Sequence, residues 1–423
     1  MYNTFVRCRE KLSYFLIRSF IYPIGFLPLP WIRRLGKALG CLLYYTVPKY
    51  RKRTLSNLSL ASSLNLRGKE LRKIAIHSLQ NFAIVALEYP KFARLRNLGG
   101  CITCRNPKKA LALIEQGIGI VFFCGHQANW ETLFLDGTTR MPGTAIGKAT
   151  KNRFLYAWII AIRERYGGKM IEQKRALKEG LRALKKGHFL GILGDQADPE
   201  SSFSFPFFGR RSKTSLAPAL LSYKSGCPLI VATTKRTQKG YEIEYADPIW
   251  PDTNNPLRKE APWMMEKALY ALECSIAKAP GEWLWTHNKY KQHNKRQIRP
   301  RFRHDALLFI FDLEHQHLLP QLQVFRRIYP DSFFFLCLHE KSALPPPDLD
   351  IEELLFFRKE EDLWIDDHRC KCVFNFSRHP SVKRHFLKKS AHEVLSYPDL
   401  YQLAKDRTSP SAILQSALLK SFP

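Results

Sequence analysis

Acidic side chains are in short supply: 37 Asp and Glu stand against 67 Lys and Arg among 423 residues, a formal charge of +30. A chain so charged is not indifferent to anions, and a nucleic acid or an anionic membrane face is the first partner to consider. Also absent are a phosphate loop, a GxGxxG turn, an internal repeat and any low-complexity tract, which removes the common nucleotide fingerprints and the solenoid architectures. The ten cysteines form no framework: Cys101-x-x-Cys104 has no second pair nearby, and Cys370-x-Cys372 lies far away. Reduced thiols in a cytosolic setting are expected, rather than a disulfide scaffold or a four-ligand zinc site, so no metal is expected. What is present is ordinary globular usage, 45% hydrophobic and 25% charged, in a chain long enough for two domains.

The charge is uneven. Residues 1–300 hold 50 basic and 20 acidic side chains (50 − 20 = +30), and residues 301–423 hold 17 of each (17 − 17 = 0). The basic run from Lys289 to Arg303 has the composition of a linker or a surface strand end, and places a domain boundary near 300. At the other end, Leu12 to Ile32 is apolar apart from Arg18 and is flanked by Arg7, Arg9, Lys11, Arg33, Arg34 and Lys37. A bilayer crossing takes about 20 residues, but Pro23, Pro28 and Pro30 argue against one straight span. Residues 1–34 are expected to be a retained membrane anchor or an in-plane amphipathic segment, with 35–300 and 301–423 as the two domains.

Hydrophobic periodicity gives the fold class. Helical spacing runs over 70–92, 107–116, 175–186 and 261–279, while Gly119–Gly125, His188–Gly194, Pro228–Thr234, Tyr241–Asp247 and Glu282–Thr286 read as short strands. The second half continues with strands at 306–312, 332–338 and 371–376 and helices at 315–328 and 381–395. The alternation predicts an α/β protein: a central, mostly parallel sheet flanked by helices, then a smaller C-terminal α/β domain. Ligands gather beyond the carboxyl ends of such strands, where His126 and Asp195 fall.

His126-(x)4-Glu131 is the candidate constellation. Five helical steps amount to about 500°, so the two side chains meet only if His126 lies in the turn ahead of the helix. A carboxylate beside an imidazole fixes its tautomer and makes it a general base at neutral pH. Gly125-His126-Gln-Ala-Asn-Trp-Glu131 resembles the catalytic motif of the lysophospholipid acyltransferase superfamily, in the form typical of the late acyltransferases of lipid A biosynthesis. Further stretches resemble that family in order: Arg51-Lys-Arg-Thr-Leu-Ser-Asn57-Leu58, Leu87-Glu88, Arg163-x-x-x-Gly167, Gly194-Asp195-Gln196, Phe207-Phe208-Gly209 and Glu282-Trp-Leu-Trp-Thr-His287. The resemblance covers about residues 10 to 295 and leaves the second half outside.

The resemblance implies transfer of a fatty acyl chain from acyl carrier protein to a hydroxyl of a Kdo-bearing lipid A precursor, at the cytoplasmic face of the inner membrane and without a cofactor. His126 is then the general base, with Glu131 orienting it; Arg163, Asp195, Gln196, Arg210 and Arg211 are candidate substrate-binding residues. Backbone amides near the turn, or Arg163, are candidate donors to the oxyanion. Cys124 reads as a strand residue rather than a nucleophile. The stretch Phe205–Arg211 reads equally as a membrane- or acyl-contacting loop and as core packing. A glycerolipid or phosphatidylinositol-mannoside acyltransferase keeps the fold and changes the acceptor. A basic nucleic-acid-binding protein is the rival of another class, although no such motif is present and no nucleic acid is expected.

Overall fold

The computed structural model describes residues 2–201, 203–292 and 296–421. Helices α1 (Tyr2–Ile21), α2 (Leu29–Thr46), α3 (Pro48–Leu60) and α4 (Gly68–Phe92) precede the first sheet. Its strands are β1 (Ile102–Cys104), β2 (Ile120–Cys124), β3 (Gly143–Gly147), β4 (Lys169–Glu172) and β5 (Phe189–Leu193); a hairpin of β6 (Ser204–Phe207) and β7 (Arg210–Lys213) intervenes before β8 (Leu229–Arg236) and β9 (Tyr241–Tyr245). Between and after them lie α5 (Lys108–Glu115), α6 (Glu131–Arg140), α7 (Arg153–Arg163), α8 (Ala176–Lys185), α9 (Ala217–Ser225) and α10 (Leu257–Lys278). The order is β1-β9-β8-β2-β5-β3-β4, parallel from β8 to β4, with β9 antiparallel to β8.

Both faces of the central strands are covered, so β2 is buried at all five positions and reads as a continuous apolar run. Val121 and Phe123 face a core shared with α4 and α10 residues such as Leu79 and Leu272, whereas Ile120, Phe122 and Cys124 face Ala110 of α5 and Leu135 of α6. The expected strand at Glu282–Thr286 is a correction. This segment is a 3-10 turn followed by one isolated bridge, Gln127 to Trp283, and a further turn at Trp285 and Thr286. Its backbone is engaged by His126 and Ser78 rather than by a ladder.

Proline breaks the N-terminal apolar stretch. A 3-10 turn at Pro23–Phe26 separates α1 from α2, and among the described residues no helix is long and apolar enough to cross a membrane. The spanning reading thus has no helix to carry it. Helix α2 lies hard against α4: a Cβ on Gly40 would fall 2.2 Å from the Gln80 Cα. Its opposite face leaves Trp31, Leu35, Leu42 and Tyr45 exposed, and α1 exposes Leu12, Phe15, Leu16 and Phe20. Helix α1 docks on α7 through Tyr14 against Phe154 and through Arg18, 4.6 Å above the Trp158 ring.

The second half is a five-stranded parallel sheet of β10 (Ala306–Phe311), β11 (Phe333–His339), β12 (Glu353–Phe357), β13 (Cys372–Phe376) and β14 (Glu393–Ser396), ordered β12-β11-β10-β13-β14. Helices α11 (Leu322–Ile328), α12 (Ser381–Lys388), α13 (Tyr397–Leu403) and α14 (Pro410–Leu418) cover it. The helix expected over 381–395 stops at Lys388, and the chain enters β14 instead. The linker reading of 289–303 is corrected at its start, where Lys289 and Tyr290 are fully buried; residues 293–295 of that run lie outside the described residues.

The β6–β7 hairpin joins the halves. Phe205, Phe207 and Phe208 are buried, and the latter two pack on Trp283 and Trp285. Of the two readings for this stretch, core packing is the one observed. Arg210 pairs with Glu352 beneath the Phe333 and Phe335 rings, and Lys213 reaches Asp331 at 3.1 Å. On α3, Ser56 donates to the Arg369 carbonyl in the second half, while its neighbour Asn57 donates to the carbonyls of Trp285 and His287.

Candidate active site

Parallel register brings the site together. Cys124 ends β2 and lies opposite Leu193, the end of β5. The chain runs two residues beyond each, so His126 and Asp195 emerge side by side at the carboxyl edge of the sheet. Gly125 permits the approach, because a Cβ there would sit 2.9 Å from Leu272 and 3.3 Å from an Asp195 oxygen.

Asp195 is 0% exposed and His126 9%. Asp195 Oδ1 lies 2.6 Å from His126 Nδ1; Oδ2 accepts the His126 backbone N–H at 2.7 Å and the Trp283 indole N–H at 2.8 Å. Burial favours the neutral acid, but the imidazole, its hydrogen bonds and the nearby Lys289 outweigh burial and hold Asp195 well below the usual carboxylate range. An ionised carboxylate only accepts, so Nδ1 carries a proton, and it is Nε2 that bears the lone pair whenever the ring is neutral. That Nε2 lies 3.2 Å from the side-chain amide nitrogen of Gln196, which also reaches His287 Nε2 at 2.9 Å. Burial first, and His126 next, bring His287 down to about 4, so it is neutral at pH 7. The Trp130 ring meets His126 edge-on, 4.8 Å between centroids.

Glu131 does not orient His126, and the expectation of a direct His126–Glu131 pair is corrected. Glu131 opens α6 and faces α7, where Arg163 grips it in bidentate fashion: Nε to Oε2 at 2.7 Å and Nη2 to Oε1 at 2.6 Å. Trp130 Nε1 adds a bond at 3.0 Å, and Tyr89 Oη accepts from Arg163. Burial works against ionisation of Glu131, yet Arg163 lowers it below its ordinary value. Glu131 is therefore tied to the imidazole only through Trp130, and Arg163 is a clamp on Glu131 rather than a free anion site.

The loop between β2 and α6 is held from two sides. Ala128 takes the left-handed conformation (φ +46°), a strained state for a residue with a Cβ. Its N–H donates to the Glu282 carbonyl and its own carbonyl accepts from Asn81. Asn129 donates to buried Glu88 at 2.7 Å, and Glu88 also receives Tyr241 Oη and Arg33 Nε. Cys124, fully buried, has its thiol pushed up to about 12 by burial, which leaves no thiolate for nucleophilic attack.

The candidate residues thus divide. His126, Asp195 and Gln196 converge, with Asp195 buried as the partner of His126 rather than exposed to a substrate. Glu131 and Arg163 form the adjoining pair. Arg210 belongs to the seam between the halves, a correction to its substrate-binding role, and exposed Arg211 donates to the Ser204 carbonyl. Sequence reasoning missed Lys289, which is 0% exposed and donates to the Asp195 carbonyl at 2.7 Å and to Thr214 at 3.2 Å. It also gave no role to Trp283, His287 or Glu88. The Trp-Leu-Trp-Thr-His stretch and Leu87-Glu88 were the available signals, but neither spacing names a partner.

Residues 3–292 match the family described as bacterial lipid A biosynthesis acyltransferase. This is more than half of the chain, which belongs to that family and is an acyltransferase. The basic nucleic-acid-binding reading is set aside on that ground. No curated protein matches the chain.

Proposed function

We propose that the chain transfers a fatty acyl group from acyl carrier protein to a hydroxyl of a Kdo-bearing lipid A precursor at the cytoplasmic face of the inner membrane, with His126 as general base. The observation that carries this reading is the His126 imidazole, fixed through Nδ1 by buried, ionised Asp195, with Nε2 turned to the opening at Gln196. Nε2 takes the proton of the acceptor hydroxyl as its oxygen attacks the thioester carbonyl. When the tetrahedral intermediate collapses, the C–S bond breaks and the imidazolium returns the proton to the departing thiolate. The acceptor's oxygen ends in the new ester, and no acyl-enzyme forms.

Glu131 and Arg163 act as positioning residues that hold Trp130 beside the imidazole and anchor α7. The partly exposed apolar side chains of α7 and the exposed ones of α1 and α2 support an in-plane seat on a membrane, where an acylated acceptor resides. The test is acyl transfer by the purified full chain to a tetraacylated, Kdo-bearing disaccharide, with acyl carrier protein and coenzyme A thioesters offered in parallel. Turnover is expected with the carrier-protein thioester, and His126→Ala is expected to lower it about 10²- to 10⁴-fold. Unchanged turnover in a folded His126→Ala protein would overturn the assignment; transfer only to a glycerolipid would move the acceptor to another lipid class.

A further inference from the structure

Away from the catalytic edge, α2, α3 and α4 meet the second half across a cleft of about 540 Å³. Arg51 and Arg72 line it from the first half, and His385, Lys388 and Lys389 from the second. A neighbouring cavity of about 360 Å³ shares His385 and Lys388 and adds Arg384. One carboxylate answers these charges: Asp366 pairs with Lys389 and lies 4.0 Å from Arg72. Among the described residues, no carboxylate is within ion-pair distance of Arg51, Arg384 or Lys388. His368, 5% exposed, bonds Ser390 through Nδ1, while its buried Nε2 makes no hydrogen bond and lies 3.4 Å from Asp366; Lys389, Asp367 and Arg72 are the other charges that act on it.

We propose that this cleft binds a phosphate group. Convergent guanidinium and ammonium groups short of carboxylates are what a phosphate dianion or diester requires. The cleft's edge is Tyr45, 66% exposed, which continues the apolar face of α2 through Leu42. An anionic phospholipid, its head group in the cleft and its chains along α2, satisfies both features at once; free phosphate satisfies the first. The second half supplies part of the binding wall, so the cleft exists only when both halves are present. The inference is independent of the reaction at His126.

The test uses the full chain, phosphatidylcholine vesicles with and without phosphatidylglycerol, and a calorimetric titration with inorganic phosphate. Removing both charges (Arg51→Ala with Lys388→Ala) is expected to weaken binding to the anionic vesicles about tenfold or more, with neutral-vesicle binding unchanged. Arg51→Lys with Lys388→Arg, which keeps the charge, should bind as the parent does. A phosphate titration that is silent in the parent assigns the site to a lipid head group. A phosphate signal that the double variant loses, with vesicle binding unmoved, assigns it to free phosphate. If the double variant matches the parent in both arms, or loses no more than the exposed control pair Lys174→Ala with Lys178→Ala, the proposal is overturned. His126→Ala should bind both probes normally, which separates this site from the fate of the acyl-transfer reading.

Discussion

Each half of the molecule carries a histidine bonded to an aspartate beyond the end of a buried parallel strand. At the end of β2 the partners are His126 and Asp195, 2.6 Å apart, supplied by adjacent strands 69 residues apart in sequence. At the end of β10 they are His315 and Asp312, 2.8 Å apart and three residues apart on one loop. In the first pair the aspartate is sealed, anchored by an indole and backed by a buried lysine, and the imidazole offers Nε2 to an amide at an opening. In the second, Asp312 is a turn residue that accepts the backbone N–H groups of His315 and Arg378, and the His315 side chain is 34% exposed. Glu314 lies close enough for the three to place ligand atoms within 4.8 Å of one another, but Arg378 holds it at 2.8 Å. A histidine–carboxylate contact is thus common chemistry, and both aspartates are buried; long-range assembly, a mostly buried imidazole and the indole and lysine behind the carboxylate make the first pair a candidate site. Charge tells the same story, since the whole excess of +30 lies in the half that bears the assembled pair.

Several substitutions break or sharpen the contrast. The largest effect is expected from Asp195→Asn, which leaves the shape but not the tautomer: turnover of the lipid acceptor should fall about 10²-fold or more, while Asp312→Asn leaves the rate unchanged. Equal rates for Asp195→Asn and the parent would erase the distinction between the pairs. Next comes Glu131→Ala, which strands Arg163 in a half-buried position; a loss of about 2 kcal/mol in urea unfolding is expected, against a near-zero change for Glu314→Ala on the exposed loop. A contrast read through pH rather than at one pH concerns Lys289, which burial brings down to about 8. Between about 8 and its ordinary value near 10.5 the unfolded chain binds a proton that the native state has released, so stability gains with rising pH there. The parent's stability relative to Lys289→Met should therefore climb through that window and stay flat below it, read from urea midpoints at several pH values.

Much of the first sheet is legible in the sequence, because doubly covered strands such as Ile120–Cys124 and Phe189–Leu193 are short, apolar and bounded by glycine. The address shared by His126 and Asp195 follows from those strands lying side by side. The choice of partner does not follow. His126 and Glu131 sit five apart on a loop and a helix start, and local spacing carries no information about a carboxylate arriving from the next strand. Lys289 was hidden for a different reason: within a basic run, an ammonium buried against one carbonyl reads as one more solvated charge. Arg210 looked like a lipid-phosphate ligand because its glutamate lies 142 residues away, in a half the family pattern does not reach. The helix expected over 381–395 failed where Lys388-Lys389-Ser390 breaks the period and a four-residue edge strand begins, too short to show alternation.

Two consecutive residues of α3 tie the second half to the stretch that lies beside His126. Ser56 grips the carbonyl of Arg369, and Asn57 grips those of Trp285 and His287. Neighbouring peptide units of one helix therefore hold both the distal sheet and the stretch that carries His287, whose ring lies 5.0 Å from that of His126. Removing the appendage would leave the Ser56 hydroxyl without this acceptor while the Asn57 contacts stay in place.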